Sequence, residues 1–285
     1  MSQATVDLYC VMGNPVAHSR SPAIHARFAE LTGERLAYER RLVPLDGFAQ
    51  GVREFAALGG LGCNVTVPFK TEAPLLATHC SERVQLAGAA NTLAFKADGS
   101  IHADNTDGLG LVADITRNAG VALQGRDVLL VGAGGAAAGV LGPLLQAGAG
   151  RITIANRTLA KAQALVQSHQ ALALQLGAHL SASTLDAVEG GFDVVINATA
   201  SSLAGDAVPV AASVLRSGCL AYDMMYGPAA QGFMDWAARH GATPRDGLGM
   251  LVEQAAEAFA FWRGVRPPSA QVLAELQSQL LQAQH

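Results

Sequence analysis

The chain has 285 residues, half of them hydrophobic and only 15% charged, with a formal net charge of −4. Such a length holds one large domain or two ordinary ones, each with its own core, and the apolar content excludes a disordered chain. The balance is slightly acidic and shows no basic stripe with interleaved aromatics, so it gives no electrostatic case for nucleic acid.

Leu8 to Met12 read as a short apolar strand. Ser21 followed by Pro22 then marks a helix start, with the serine as N-cap and the proline where its missing N–H costs nothing. Ile24, Phe28 and Leu31 supply the helix's apolar stripe. Ser19 and Ser21 therefore lie beside an anion-friendly helix end suited to a substrate carboxylate. The plainer reading makes Ser21 a cap and nothing more.

Phe48 to Leu58 form a second helix, and residues 60–70 alternate with a period of two. Asn64 and Thr66 fall on one face, Val65 and Val67 on the other, and Pro68 ends the pairing. Asn64, Thr66 and Lys70 could line one wall, although a single lysine in a surface turn is more often simply solvated. Residues 87–108 read as a hairpin turning at Asp98-Gly99, with Asn91 before one strand and Asp107 after the other. Asp107 precedes a helix from Leu109 to Asn118, where a carboxylate also serves as an ordinary N-cap.

Val128 to Val131 form an uncharged run, as in a strand buried on both faces. Gly132, Gly134 and Gly135 follow at once and open an Ala-rich helix. This is the arrangement that holds a dinucleotide pyrophosphate, because glycines admit close approach and the helix N-terminus favours an anion. Residues 128–150 are uncharged and long enough for a bilayer, but their glycines and Pro143 fit a water-soluble strand–turn–helix unit better. Strand Arg151 to Ala155, a helix from Thr158, a further pair over 170–190, and strands Phe192 to Ile196 and Leu220 to Met224 continue the alternation. A parallel, doubly wound sheet is implied. Two amphipathic helices, Gly247 to Arg263 and Ala270 to Gln282, end the chain. The two αβ patterns do not merge into one simple sheet, so two domains separated by a cleft are expected.

A NAD site carries an acid at the end of its second strand to bind the ribose 2′-hydroxyl. Asn156-Arg157-Thr158 stands there instead, and Arg157 and Lys161 share a helix face from which both reach a 2′-phosphate. NADP is the cofactor this favours; two solvated surface cations are the alternative. The four cysteines, Cys10, Cys63, Cys80 and Cys219, form no CxxC and no zinc spacing, so no metal is expected and reduced thiols are. Met1 to Cys10 lack a basic segment followed by a long apolar one, so no signal peptide is read and a cytoplasmic protein is expected.

Taken in order, GNPVAHSRSP (13–22), NVTVPFK (64–70), AGAANTL (87–93), DNTDG (104–108), GAGG (132–135), ANRT (155–158), INAT (196–199), YDMMY (222–226) and GLGMLVEQAA (247–256) resemble the motifs of the shikimate dehydrogenase family. The resemblance covers the chain nearly end to end. It implies reversible, NADP-linked reduction of 3-dehydroshikimate to shikimate in aromatic amino-acid biosynthesis, by a monomer or homodimer. It also implies a substrate domain at 1–106, completed by the C-terminal helices at 243–285, and a Rossmann-type NADP domain at 107–242. By position, Ser19 and Ser21 hold the substrate carboxylate, with Tyr226 nearby. Asn64, Thr66, Asn91, Asp107 and Gln254 contact ring hydroxyls, and Lys70 and Asp107 are the catalytic pair. Gly132, Ala133, Gly134, Gly135 and Ala136 meet the pyrophosphate, Asn156, Arg157, Thr158 and Lys161 the adenosine phosphate, and Met224 and Gly247 the nicotinamide.

Three departures stand out. Ala138 occupies a position that is often basic, Lys161 one that some members fill with arginine, and Gln231-Gly232 one where Thr-Pro is common, in an expected loop. The rival readings are a quinate/shikimate dehydrogenase using NAD, which Arg157 without a preceding acid opposes, and a non-catalytic NADP-binding sensor, which the presence of both Lys70 and Asp107 opposes.

Overall fold

The structure, a computed structural model, describes residues 6–204 and 208–282. Two sheets of six strands organise it. The chain divides into two compact units, one running to Thr106 and resuming at Val252, the other spanning Asp107–Leu251.

In the first unit the strands are β1 (Asp7–Gly13), β2 (Leu36–Leu42), β3 (Gly60–Val65), β4 (His79–Cys80), β5 (Thr92–Phe95) and β6 (Ile101–Asp104), in the order β2-β1-β3-β5-β6-β4. β1, β2 and β3 pair in parallel, and β5 runs antiparallel to both β3 and β6. Helices α1 (Ser21–Thr32), α2 (Phe48–Ala57), α3 (Ala73–Leu76) and α4 (Glu82–Ala87) connect the strands. Cys10, Met12, Phe48, Phe55, Cys63, Phe69 and Leu93 fill the core on one side of this sheet. The hairpin forms as its sequence predicts: Gly99 takes the left-handed conformation at φ 84° that the Asp-Gly turn requires.

The second unit holds α5 (Asp107–Ala113), β7 (Asp127–Val131), α6 (Gly135–Gln146), β8 (Arg151–Ala155), α7 (Leu159–Leu176), β9 (His179–Ser183), β10 (Phe192–Asn197), α8 (Ser201–Ala204), β11 (Leu215–Asp223), α9 (Gln231–Arg239) and β12 (Thr243–Arg245). Its six strands are all parallel in the order β12-β11-β10-β7-β8-β9. That is the doubly wound dinucleotide-binding order. β7 shows why its sequence is uniformly apolar: Val128 and Leu130 enter the core on one face, Leu129 and Val131 the core on the other. Helices α10 (Leu248–Arg263) and α11 (Ser269–Gln282) close the chain, and the division between units falls within α10.

Several local readings are corrected. Ser21 is the first helical residue and not the N-cap; Arg20 takes that place, and no side chain caps the helix. The serine that accepts a backbone N–H is Ser19, whose Oγ lies 3.3 Å from the Ser21 nitrogen. The helix expected to run from Leu109 to Asn118 is helical from Asp107, then widens into a π-helical turn over Asp114–Asn118. The pair over 170–190 is the C-terminal end of α7 followed by β9. Gln231-Gly232 open helix α9, where a loop was expected. Residues 243–251, expected with the C-terminal helices, group with the second unit because β12 pairs in parallel with β11.

Candidate active site

In the first unit the candidate substrate residues gather at the C-terminal ends of β1 and β3. The strands are parallel, so the loops that follow them emerge side by side. Asn14 N–H donates to the Val67 carbonyl at 3.0 Å, and Thr66 N–H to Met12 at 2.9 Å, which knits the two loops together. A Cβ on Gly13 would meet the Thr66 methyl at 2.3 Å, so only glycine lets them pack this closely. Arg40 fixes the Ser19 segment by donating to its carbonyl from Nε at 2.9 Å and Nη2 at 2.6 Å. Ser19 Oγ in turn donates to Ser21 Oγ at 3.2 Å.

Lys70 sits in a single 3-10 turn, Phe69–Thr71. Phe69 anchors that turn by stacking on Phe48 with centroids 4.9 Å apart, and the Lys70 carbonyl accepts from Ala90 at 2.8 Å. The backbone is therefore fixed at both ends of the lysine, and the side chain is half-buried.

Asn64 and Asn91 are both buried, at 6% and 3% exposure. Asn64 Nδ2 donates to the Asn91 carbonyl at 3.2 Å and to Thr92 Oγ1 at 3.0 Å. Asn91 Nδ2 donates to Thr106 Oγ1 at 2.9 Å and to Gln254 Oε1 at 3.3 Å, while its Oδ1 accepts from the Thr106 N–H at 2.8 Å. Gln254, on α10, is thus joined to Asn91, the residue before β5. Asp107 opens α5 in the second unit and is 6% exposed.

The nucleotide half is built at the C-terminal ends of β7, β8, β10 and β11. Gly132 has φ 110° and donates to the Ala155 carbonyl at 2.7 Å, and its Cβ would meet the Ala198 backbone at 3.2 Å. Gly134 and Gly135 are exposed, and a Cβ on either would meet nothing within 4 Å. The space beside them is open, and the first turn of α6, which includes Ala136, directs its N–H groups there. This cradle fits a pyrophosphate.

Asn156 closes the end of β8, its N–H donating to Ser183 at 3.1 Å and its Nδ2 to the Thr158 carbonyl at 2.9 Å. Arg157, Thr158 and Lys161 are exposed. Arg157 lines a cavity of about 320 Å³ together with Thr184, Leu185 and Asp186. A carboxylate is therefore near the cation after all, supplied by the loop after β9. The sequence reading looked for an acid only at the end of β8. A hydrogen bond from Thr184 holds the Asp186 carboxyl below its usual range, so it is ionised at neutral pH.

Met224 follows β11, and its N–H donates to the Asn197 carbonyl at 3.0 Å. Gly247 N–H donates to Met225 at 2.8 Å. Tyr226, half-buried, precedes the 3-10 turn Gly227–Ala230. Asp223 lies beneath, fully buried, with Oδ2 accepting from Ser202 at 2.5 Å and from Asn197 at 3.1 Å, and Oδ1 from the Met225 N–H at 2.8 Å. Burial raises its pKa against those hydrogen bonds. Further back, buried Asp114 accepts from Arg245 Nε and Nη2, at 2.8 and 2.6 Å, and from the Tyr222 hydroxyl at 2.7 Å. None of Arg40, Asp114 and Arg245 stands out in sequence, because their partners lie far along the chain.

An exposed glycine cradle on an all-parallel sheet, with a cation past the second strand, defines a nicotinamide-dinucleotide-dependent oxidoreductase of the α/β class. The particular family follows from comparison. The model for the shikimate dehydrogenase substrate-binding domain matches residues 11–93, that for shikimate/quinate 5-dehydrogenase residues 114–205, and that for the shikimate 5′-dehydrogenase C-terminal domain residues 247–277. The chain is 78% identical to the NADP(+) shikimate dehydrogenase of Verminephrobacter eiseniae, over 96% of this chain and 95% of that one. Among solved structures it resembles the Ael1 enzyme of Pseudomonas putida, with TM-score 0.88, 47% identity and coverage of 95% and 98% of the two chains. It also resembles the Thermus thermophilus shikimate 5-dehydrogenase in complex with NADP(H) and shikimate, with TM-score 0.83, 30% identity and coverage of 96% and 100%. The chain belongs to the shikimate dehydrogenase family. Among the described residues no helix is long and apolar enough to cross a membrane, and no cluster of ligating side chains could hold a metal.

Proposed function

We propose that this protein reduces 3-dehydroshikimate to shikimate, reversibly, with NADPH. The observation that supports this most is the pairing of two half-sites in one chain. One is a polar wall of buried Asn64 and Asn91 with half-buried Gln254, beside Ser19, Ser21, Thr66 and Lys70. The other is the open cradle at Gly132–Ala136 with Arg157 beyond it. The first unit is accordingly the substrate domain and the second the NADP domain. Both are made from one chain, so a monomer or a homodimer can do the work. A cytoplasmic enzyme, with reduced thiols and NADPH at hand, belongs to this reading.

In this reading the Gly132–Ala136 backbone receives the pyrophosphate, Asn156, Arg157, Thr158 and Lys161 the 2′-phosphate, and Met224 and Gly247 flank the nicotinamide. When bound, NADPH supplies the hydride. The oxygen of the reduced carbonyl then gains negative charge, and the Lys70 ammonium stabilises that charge and donates the proton. Asp107 orients the ammonium and accepts from a substrate hydroxyl. Ser19 and Ser21 donate to the substrate carboxylate, with Tyr226 beside them.

The test follows nicotinamide absorbance with shikimate or quinate against NADP or NAD. Turnover is expected with shikimate and NADP. Faster turnover of quinate with NAD would favour the quinate-oxidising reading, and cofactor binding without turnover in all four mixtures would leave a sensor.

A further inference from the structure

The substrate wall has a support that the family motifs do not include. Tyr38, on edge strand β2, donates its hydroxyl to Asn64 Oδ1 at 2.7 Å. Its ring lies flat on His25, with centroids 4.2 Å apart and planes 4° from parallel. His25 is fully buried, and among the described residues neither of its ring nitrogens has a hydrogen-bond partner. Phe28 and Trp262 enclose the same imidazole, at 6.0 and 5.5 Å. A stack this confined holds the phenol in one orientation.

The hydrogen bonds beyond Tyr38 run one way. Both Asn64 amide hydrogens are taken, by the Asn91 carbonyl and by Thr92 Oγ1. The Asn91 carbonyl can only accept, so the Asn64 amide cannot turn over. Thr92 Oγ1 passes its own hydrogen to Asn91 Oδ1 at 2.9 Å. Burial and the neighbouring Cys10 and Cys63 thiols hold the Tyr38 phenol well above its usual range, against a hydrogen bond with Ser21, so it stays a donor. Neither His25 nitrogen lies within hydrogen-bonding geometry of Asn64 Oδ1, so Asn64 is left with one capacity toward a ligand, the second lone pair of that oxygen.

We propose that Tyr38 is a positioning residue that presents Asn64 to the substrate as a fixed acceptor, so that this point of the wall selects a hydroxyl hydrogen and rejects a group that can only accept. The inference rests on the reading that Asn64 contacts substrate. The selected ligand feature is a ring hydroxyl. Fluorine at the same carbon is similar in size but brings no hydrogen, and it meets the acceptor lone pair head-on.

Tyr38→Phe keeps the stack on His25 and removes only the donor. It is expected to raise KM for shikimate about 10-fold while kcat and KM for NADP stay within about twofold, as for the loss of one neutral hydrogen bond. Asn64→Ala should lower kcat/KM for shikimate more strongly, and adding Tyr38→Phe to it should then cost nothing further, because the two act as one unit. An unchanged KM in Tyr38→Phe, or an undiminished effect of it in the Asn64→Ala background, overturns the proposal while leaving the site reading in place. A neutral Asn64→Ala overturns both. Should Tyr38→Phe fail to fold, shikimate analogues with one ring hydroxyl replaced by fluorine or by hydrogen test the wild-type enzyme. One position is expected where fluorine is no better than hydrogen. Rescue by fluorine at every position overturns the proposal.

Discussion

A Cβ on Gly247 would stand 2.3 Å from the carbonyl oxygen of Met224 and 2.7 Å from its carbonyl carbon. No side chain fits there, so the backbone proposed to flank the nicotinamide packs this way only because this residue has none. Gly247→Ala must push the Asp246–Leu248 segment away from Met224. We expect a cost of about 2 kcal/mol, typical of overpacking a tight contact. NADPH binding should weaken as well. Urea unfolding and an NADPH titration read the two effects separately, and unchanged NADPH affinity would remove Gly247 from the cofactor half.

Asp114 and Arg245 are 131 residues apart in sequence and joined by two hydrogen bonds inside the second unit. Asp114→Asn keeps the shape and removes the charge, leaving a half-buried guanidinium without its partner and Tyr222 with a weaker acceptor. Breaking a buried pair from one side costs roughly 3 to 5 kcal/mol. Arg245 is 23% exposed, so the expected loss lies at or below the lower end of that range. Equal midpoints in chemical denaturation for variant and parent would contradict it.

Lys70→Ala is expected to lower turnover by about 10²-fold or more through the loss of a positioned acid. Ala at this site keeps the carbonyl that Ala90 holds, so folding and NADPH binding should persist. Near-normal turnover removes Lys70 from the chemistry.

Arg157 and Asp186 share a cavity wall and carry opposite charges. Arg157→Ala should raise KM for NADP about 10-fold or more and leave KM for NAD nearly unchanged, because only one of the two carries the 2′-phosphate. Asp186→Asn should shift the preference the other way, towards NADP, by a smaller factor that shrinks as salt is added. The ratio of the two KM values at low and high ionic strength is the measurement. A parallel change in both KM values would place the pair away from the phosphate.

Burial drives the His25 pKa down to about 3 from its ordinary 6.5, with the Asn64 side chain acting in the opposite sense. Below pH 6.5 the unfolded chain binds a proton that the folded chain refuses. Stability is therefore full above pH 6.5 and falls as the pH drops towards 3, by about 5 kcal/mol over the whole window. His25→Phe should flatten this dependence, and at pH 7 it removes two unpartnered nitrogens from the core. Unfolding midpoints at pH 7 and 4.5 compare the two proteins. An equal acid loss in both would assign the effect to other groups.

Much of the nucleotide half could be read from sequence, since β7 is apolar on both faces and the glycines interrupt it at the point where the helix begins. The hairpin could be read as well, because Asp98-Gly99 specifies its own turn. The short strands β4 and β12 could not, being too brief to show a period, and β2 carries a charged Glu39-Arg40-Arg41 run that masks it. Beside that run and within it, Tyr38 and Arg40 look like edge-strand surface residues. Their roles depend on Asn64, 26 positions on, and on Ser19, 21 positions back, contacts that no local pattern encodes. The Ser21 cap was misplaced for a related reason: Ser-Pro fixes where a helix can start, not which of two nearby serines accepts the amide.

The first unit is interrupted in sequence, because its last segment begins at Val252, after the whole of the second unit. On the ribosome, that segment is made after the second unit. Until it emerges, the Leu93 carbonyl lacks the Trp262 indole N–H that meets it at 3.0 Å, Tyr9 lacks the ring stacked on it, and Glu34 lacks Arg263. The nascent polypeptide therefore has its whole central portion in hand before its beginning is complete, and the amino-terminal sheet acquires its final wall only when residues from Val252 onward emerge.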